Sequence, residues 1–168
     1  LWTLFIGPSN GVGDLRTVVE GQTPAWGPIG DHIAYKGCDE RGNNCGLYLV
    51  SSAGANKRAV VLDPSASFPA WSPDGNRLVF ASNRDGNWEV YLVNADGTGL
   101  RRLTQSLSSE GMPTFSPDGK AIAYLSDRDG QWGIYLQRLD DGRAARLIAL
   151  ETVYTDWMME RIAWGPRR

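Results

Sequence analysis

Histidine and cysteine are scarce in this chain. Its 168 residues hold one histidine, His32, and two cysteines, Cys38 and Cys45. A site built on several His or Cys ligands is excluded by that count. A Ser-His-Asp or Cys-His catalytic system has only His32 to draw on. His32 stands at the entry to the apolar run Ile33-Ala34-Tyr35, which suits a structural or exposed residue better than a general base. No G-x-S-x-G elbow, P-loop or H-E-x-x-H pattern occurs, and no spacing singles out a carboxylate pair. Catalytic residues, metal ligands and cofactors are all expected to be absent. No apolar run approaches the ~18 residues of a membrane span. Neither sign of charge dominates, with 17 basic against 19 acidic residues and a net charge of −2. A basic footprint for nucleic acid is therefore missing. The chain opens at Leu1 with no charged segment and apolar stretch behind it, so no secretory leader is expected within it.

Turn residues are plentiful. The 20 glycines and 9 prolines exceed the usual share of ~12%, which points to many short strands. They recur with a period. Residues 69–104, PAWSPDGNRLVFASNRDGNWEVYLVNADGTGLRRLT, align without a gap on residues 113–148, PTFSPDGKAIAYLSDRDGQWGIYLQRLDDGRAARLI. Residues 24–62 give a looser copy. Pro24, Pro69 and Pro113 are spaced by 45 and 44, and Tyr48, Tyr91 and Tyr135 by 43 and 44. A period near 44 with several strands per unit reads as a β-propeller blade.

Each unit carries four strand signals, here lettered a to d. Strand a surrounds Trp26, Trp71 or Phe115, and strand b is 32–35, 77–81 or 121–125. Strand c is 47–50, 89–93 or 133–136, and strand d is 58–62, 99–103 or 144–148. Turn sequences such as SPDG, RDGN and ADGTG separate them. The expectation is an all-β propeller of four-stranded antiparallel blades. Residues 1–23 form a partial blade with strands c and d, and 24–68, 69–112 and 113–160 form three blades. Residues 161–168, with Trp164, supply one further strand a. That makes 15 strands where a four-blade ring needs 16. The chain is therefore expected to belong to a longer propeller, or to complete a ring with a second copy under two-fold symmetry, rather than close on itself.

The segments PAWSPDG, SPDGK and SDRDG-x-W-x-x-Y resemble TolB-type, WD-like propeller repeats over nearly the whole chain. In the first copy Gly27 replaces Ser, Ile29 replaces Asp, and a cysteine loop replaces the b–c turn. The resemblance implies an exported, periplasmic or extracellular binding scaffold, or an accessory propeller beside a hydrolase. Such a repeat identifies a fold better than a function.

The motifs have ordinary physical roles. SPDG is a tight turn: proline sets φ, aspartate bonds its own backbone and glycine accepts φ > 0. Asp74 and Asp118 each offer one carboxylate, too few for a hard cation. Trp26, Trp71, Phe115 and Trp164, with the three tyrosines, are expected to fill the wedges between blades. In the b–c turns, Arg84 and Arg128 are expected to bond carbonyls or carboxylates of the adjoining blade. A polar ring at one mouth is the functional alternative. Asp127 and Asp129 resemble the start of an EF-hand loop, whose other ligands are missing. Cys38 and Cys45 flank the equivalent turn as C-x6-C and suit a disulfide, hence an oxidising compartment. Free thiols are the alternative, and zinc lacks ligands.

One segment breaks the repeat. Residues 150–160 carry Tyr154, Trp157, Met158 and Met159 in a d–a connection longer than 105–112. Because b–c and d–a loops share a face, these side chains join Arg84, Trp88, Met112, Arg128 and Trp132 on one rim. Trp, Met and Arg are enriched at interface centres. Alternatively Trp157 folds inward and plugs the tunnel. The function expected is non-catalytic binding of a protein or peptide partner through that b–c/d–a face. The alternatives are an accessory propeller of a larger hydrolase and a carbohydrate-binding propeller.

Overall fold

A computed structural model describes residues 2–150 and Ile162. Its described elements are all strands. A two-stranded sheet pairs β1 (Thr3–Ile6) with β2 (Arg16–Glu20). Three four-stranded sheets follow. The first is β3 (Gln22–Trp26), β4 (His32–Gly37), β5 (Gly46–Ser51) and β6 (Arg58–Val61). The second is β7 (Ser67–Trp71), β8 (Arg77–Ser82), β9 (Glu89–Asn94) and β10 (Arg101–Arg102). The third is β11 (Glu110–Phe115), β12 (Ala121–Ser126), β13 (Gly133–Arg138) and β14 (Ala144–Ala149). Every pairing is antiparallel between chain neighbours, as short turn-rich gaps require. Strand a of each blade lies beside strand a of the next, β3 against β7 and β7 against β11. The expected Trp164 strand falls outside the described residues.

The turn chemistry follows the sequence. At 72–77, Ser72 Oγ donates to Asp74 Oδ1 at 2.5 Å, and the amide of Asn76 donates to the same oxygen at 3.1 Å. Gly75 sits at φ +70, a conformation that favours glycine. Ser116, Asp118 and Gly119 repeat the arrangement. β10 is shorter than the 99–103 expected. The hydroxyl of Thr104 takes the amide of Val90 at 2.8 Å, ending the regular ladder there.

The core lies between blades. Strand-b and strand-c side chains of the first blade (Ala34, Leu47, Leu49) cluster with Leu78, Phe80, Tyr91 and Val93 of the second, and Trp71 packs on them. Val79, Val90 and Leu92 then cluster with Phe115, Ile122, Tyr124 and Tyr135 of the third. Period-two strands thus present one face to the preceding blade and the other to the next. Trp26 departs from its expected place, for it is 55% exposed. Trp71 and Phe115 find strands b and c of the preceding blade to pack on. Among the described residues, the blade before Trp26 has only β1 and β2, which occupy the c and d positions.

Candidate functional site

The first strands share a deformation. Ladder pairing lapses between Gln22 and Ala25, Ser67 and Ala70, and Gly111 and Thr114. At each lapse the residue before proline is left-handed: Thr23 at φ +47, Phe68 at +55 and Met112 at +52. That region is unfavourable for branched or bulky residues, and the residue before a proline is itself restricted. The threefold bulge turns one side chain per blade out of the ladder. Nothing in the amino-acid pattern beyond the invariant proline phase announced it.

A cleft of about 470 Å³ runs along these first strands to the a–b turns. Trp26, Trp71, Met112 and Phe115 line it, with Pro28 and Pro73 at the turn end and Ile162 also present. Its wall is mostly apolar. The indole of Trp71 donates to the carbonyl of Ala25 at 3.0 Å, tying the first two blades together beside it.

The arginines expected on the rim are committed within the chain. Arg84 donates to Asp63 Oδ2 at 2.7 Å and lies over the rings of Phe80 and Tyr91 at 5.6 and 4.9 Å. Asp63 belongs to the connection from the first blade to the second, so the pair joins adjoining blades. Arg128 donates to Glu110 and to the hydroxyl of Tyr124, the latter at 2.8 Å. Asp129 accepts from the hydroxyl of Tyr135 at 2.5 Å, and Asp127 from the amide of Ser109 at 2.8 Å. Those carboxylates are occupied by the fold. Among the described residues no group of three or more His, Cys, Asp or Glu side chains is placed to hold a metal ion.

Trp88 and Trp132 are partly buried beside the b–c turns, and both have partners. Met112 is buried and lines the cleft. Among the described residues it is the one expected rim residue brought together with the cleft aromatics. Tyr154, Trp157 and Met158 lie outside the described residues. Cys38 and Cys45 form a disulfide, with Cα atoms 3.9 Å apart, closer than the usual range of roughly 4.4–6.8 Å.

Two features escaped the sequence reading. Glu89 and Glu110 are buried together where the second blade meets the third. The signal was available, since strand c opens with glycine in the other two units (Gly46, Gly133) and with Glu89 here. The other is a cavity at the tip of the first blade, behind the cysteine loop.

Comparison with known proteins agrees with the architecture. A family model described as the TolB beta propeller domain matches residues 16–161. A TolB homologue of Chlorobaculum tepidum is 37% identical over 83 residues, covering 49% of this chain and 19% of that protein. The crystal structure of TolB from Acinetobacter baumannii superposes with a TM-score of 0.74 at 27% identity, over 86% of this chain and 37% of that one. A Mycobacterium tuberculosis puromycin-hydrolyzing peptidase shares the fold at 16% identity, with a TM-score of 0.66 over 88% of this chain and 30% of that one. The chain thus spans well under half the length of these relatives. With three repeated four-stranded blades and a family match across most of its length, the chain belongs to the TolB β-propeller domain family.

Proposed function

We propose that this chain is a non-catalytic, exported scaffold that binds a protein or peptide partner. The observation that carries this reading is the apolar cleft along the first strands, where Trp26 is exposed and Met112 and Trp71 form the wall. Aromatic and methionine side chains in a concave setting suit the anchors of a peptide. The TolB relatives include one named as a protein of the Tol-Pal system, which fits a role within an assembly. The Cys38–Cys45 disulfide favours a periplasmic or extracellular setting. Met112, which lines the cleft, is proposed to share its partner with a b–c/d–a rim of Arg84, Trp88, Arg128 and Trp132, which Tyr154, Trp157 and Met158 are proposed to extend. A second copy is proposed to complete the ring, its residues 161–168 pairing as a strand a with the c and d strands, β1 and β2. Sedimentation equilibrium showing twice 18.4 kDa would support that arrangement.

The test is selection of peptides from a displayed library on the immobilised chain, followed by titration of the selected peptides. Trp26→Ala should weaken binding by tenfold or more, with the melting curve unchanged because the ring is exposed. Loss confined to Trp157→Ala with Met158→Ala would move the site to the rim. Failure to select any saturable peptide would overturn the reading. A hydrolase-accessory role and carbohydrate binding have no specific residue-level observation in their favour.

A further inference from the structure

The first strand of each blade ends its sheet, so one edge of its backbone is left without a neighbouring strand. Which groups that edge presents follows from the a–b turns. The amides of Gly27, Ser72 and Ser116 donate across those turns to the carbonyls of His32, Arg77 and Ala121, at 2.7, 2.9 and 2.8 Å. The residues just before them, Trp26, Trp71 and Phe115, stand opposite Ile33, Leu78 and Ile122. In an antiparallel ladder, hydrogen-bonded and non-hydrogen-bonded pairs alternate. Each of the three aromatic residues is therefore in a non-hydrogen-bonded pair. Its own N–H and C=O turn away from strand b, on the side of the cleft that all three residues line.

Proline stands two residues before and two residues after each aromatic: Pro24 and Pro28, Pro69 and Pro73, Pro113 and Pro117. The positions that would continue a hydrogen-bonding edge thus have no N–H. A partner strand cannot add to this edge as a continuous ladder. What remains is one complete N–H and C=O pair per blade. Phe115 is only 4% exposed, so the open pairs are those of Trp26, which is more than half exposed, and Trp71, which is half-buried. The polar side chains of the wall are already engaged. The hydroxyls of Ser72 and Ser116 donate to Asp74 and Asp118, and the indole of Trp71 to the Ala25 carbonyl. No ionisable side chain is among the described residues that line the cleft.

We propose that the cleft takes an uncharged, extended segment of a partner protein, docked through a single apolar residue on the backbone of Trp71, and in the same way on Trp26, rather than as an added strand. This inference rests on the reading of the cleft as a peptide site and names the kind of segment it takes. The docked residue exchanges two hydrogen bonds with its host. Its N–H donates to the tryptophan carbonyl, and its C=O accepts from the tryptophan amide. Residues that face each other in this way carry their side chains on the same face, so the docked side chain lies beside the indole and is apolar. Charge complementarity sets the rest of its character. A charged side chain entering the cleft would give up water and meet no counter-charge on the wall.

The probe is the blocked peptide acetyl-Ala-Leu-Ala-amide, titrated into the isotope-labelled chain and followed by the backbone amides of Trp26 and Trp71. Saturable downfield shifts at one or both amides are expected. N-methylation of the leucine removes the donor of the two-bond pair and should weaken binding at least about tenfold. Glutamate in place of the leucine should weaken it by at least about tenfold as well. Equal binding of the N-methylated peptide, or saturable shifts in the cleft that spare both amides, would overturn this inference and leave the peptide reading standing. Equal binding of the glutamate peptide would overturn the uncharged character given to the segment. No saturable shift at all would also overturn the inference, while selection from the displayed library decides the peptide reading separately.

Discussion

The carboxyl groups of Glu89 and Glu110 interact across the boundary of the second and third blades, both completely buried. Glu89 opens β9 and accepts from Arg102 Nη2 at 2.5 Å, the amide of Ser106 at 2.8 Å and the hydroxyl of Thr104 at 2.5 Å. Glu110 opens β11 and accepts from Arg128 and Ser126 on one oxygen, while the other has no hydrogen-bond partner among the described residues. Burial tends to raise both acids, but the donors around Glu89 hold it below the ordinary glutamate value. At Glu110 burial prevails over Thr104 and Arg128, and the neighbouring Glu89 adds to it, so this carboxyl is raised. Arg102 also lies 3.7 Å from Asp85. The pair favours a proton on Glu110.

A pH dependence follows. An acid raised in the folded state binds protons there that the unfolded chain has released, so its stabilising effect is full below the ordinary glutamate value. It is lost as pH rises through the folded value. Glu110→Gln removes that titration while keeping an acceptor for Arg128. The stability of the natural chain minus that of the variant should be larger at about pH 4 than at about pH 7. Urea midpoints of both proteins at the two pH values measure it. A gap that widens with pH would reverse the assignment.

The arginines should differ sharply in their effect on stability. Arg84 bridges to Asp63 between blades, stacks on two rings, and shares Ser82 with that carboxylate. Arg84→Ala leaves Asp63 mostly buried without its counter-charge and should cost about 1–3 kcal/mol, below the full buried-pair penalty because the guanidinium is partly exposed. Arg138 pairs with Asp140 at 2.5 Å on the open surface, and Arg138→Ala should leave the unfolding midpoint where it was. Equal effects of the two would show that the blade boundary is not held by Arg84.

Reducing the disulfide should act on the first blade. A bridge spanning seven residues contributes roughly 2–3 kcal/mol in the chain-entropy account. Thermal melts with and without reductant should differ by about 5–10 °C for a chain of this size. Hydrogen exchange should rise at β4 and β5, which the loop joins, and not at β12 and β13. Uniform acceleration across the chain would show that the loop supports the whole arc.

The legible part of this molecule was what repeats. Pro-Asp-Gly turns and period-two strands are local chemistry, so blade order and strand identity could be read from residues 69–148 directly. The pairing of Arg84 with Asp63 was readable as a kind of contact, because a guanidinium beside a turn needs an acceptor, but the partner itself is 21 residues away. What stayed hidden depends on neighbours in space. Trp26 and Trp71 sit in the same PAW phase and share a sequence environment, yet among the described residues only Trp71 has a complete blade to pack on. The cavity lined by Gly21 and Gly37 is walled by different segments, which no motif marks.

Those aromatics make the sharpest check on how the blades support one another. Phe115 is buried among Val79, Val90 and Leu92, so Phe115→Ala leaves a cavity and should cost about 3–5 kcal/mol. Trp71 is half-buried against the first interblade cluster and bonds the Ala25 carbonyl, and Trp71→Ala should cost about 2–3 kcal/mol. Trp26 is more than half exposed and, among the described residues, has no complete preceding blade, and Trp26→Ala should change stability by under about 0.5 kcal/mol. The order, measured by urea unfolding at low protein concentration, tests contact with the preceding blade rather than ring size, since the two tryptophans differ in burial and the smaller ring of Phe115 carries the largest expected cost. If Trp26→Ala cost as much as Trp71→Ala, its ring would have to be covered in solution. The penalty should then grow with protein concentration, because a second chain would be covering that ring.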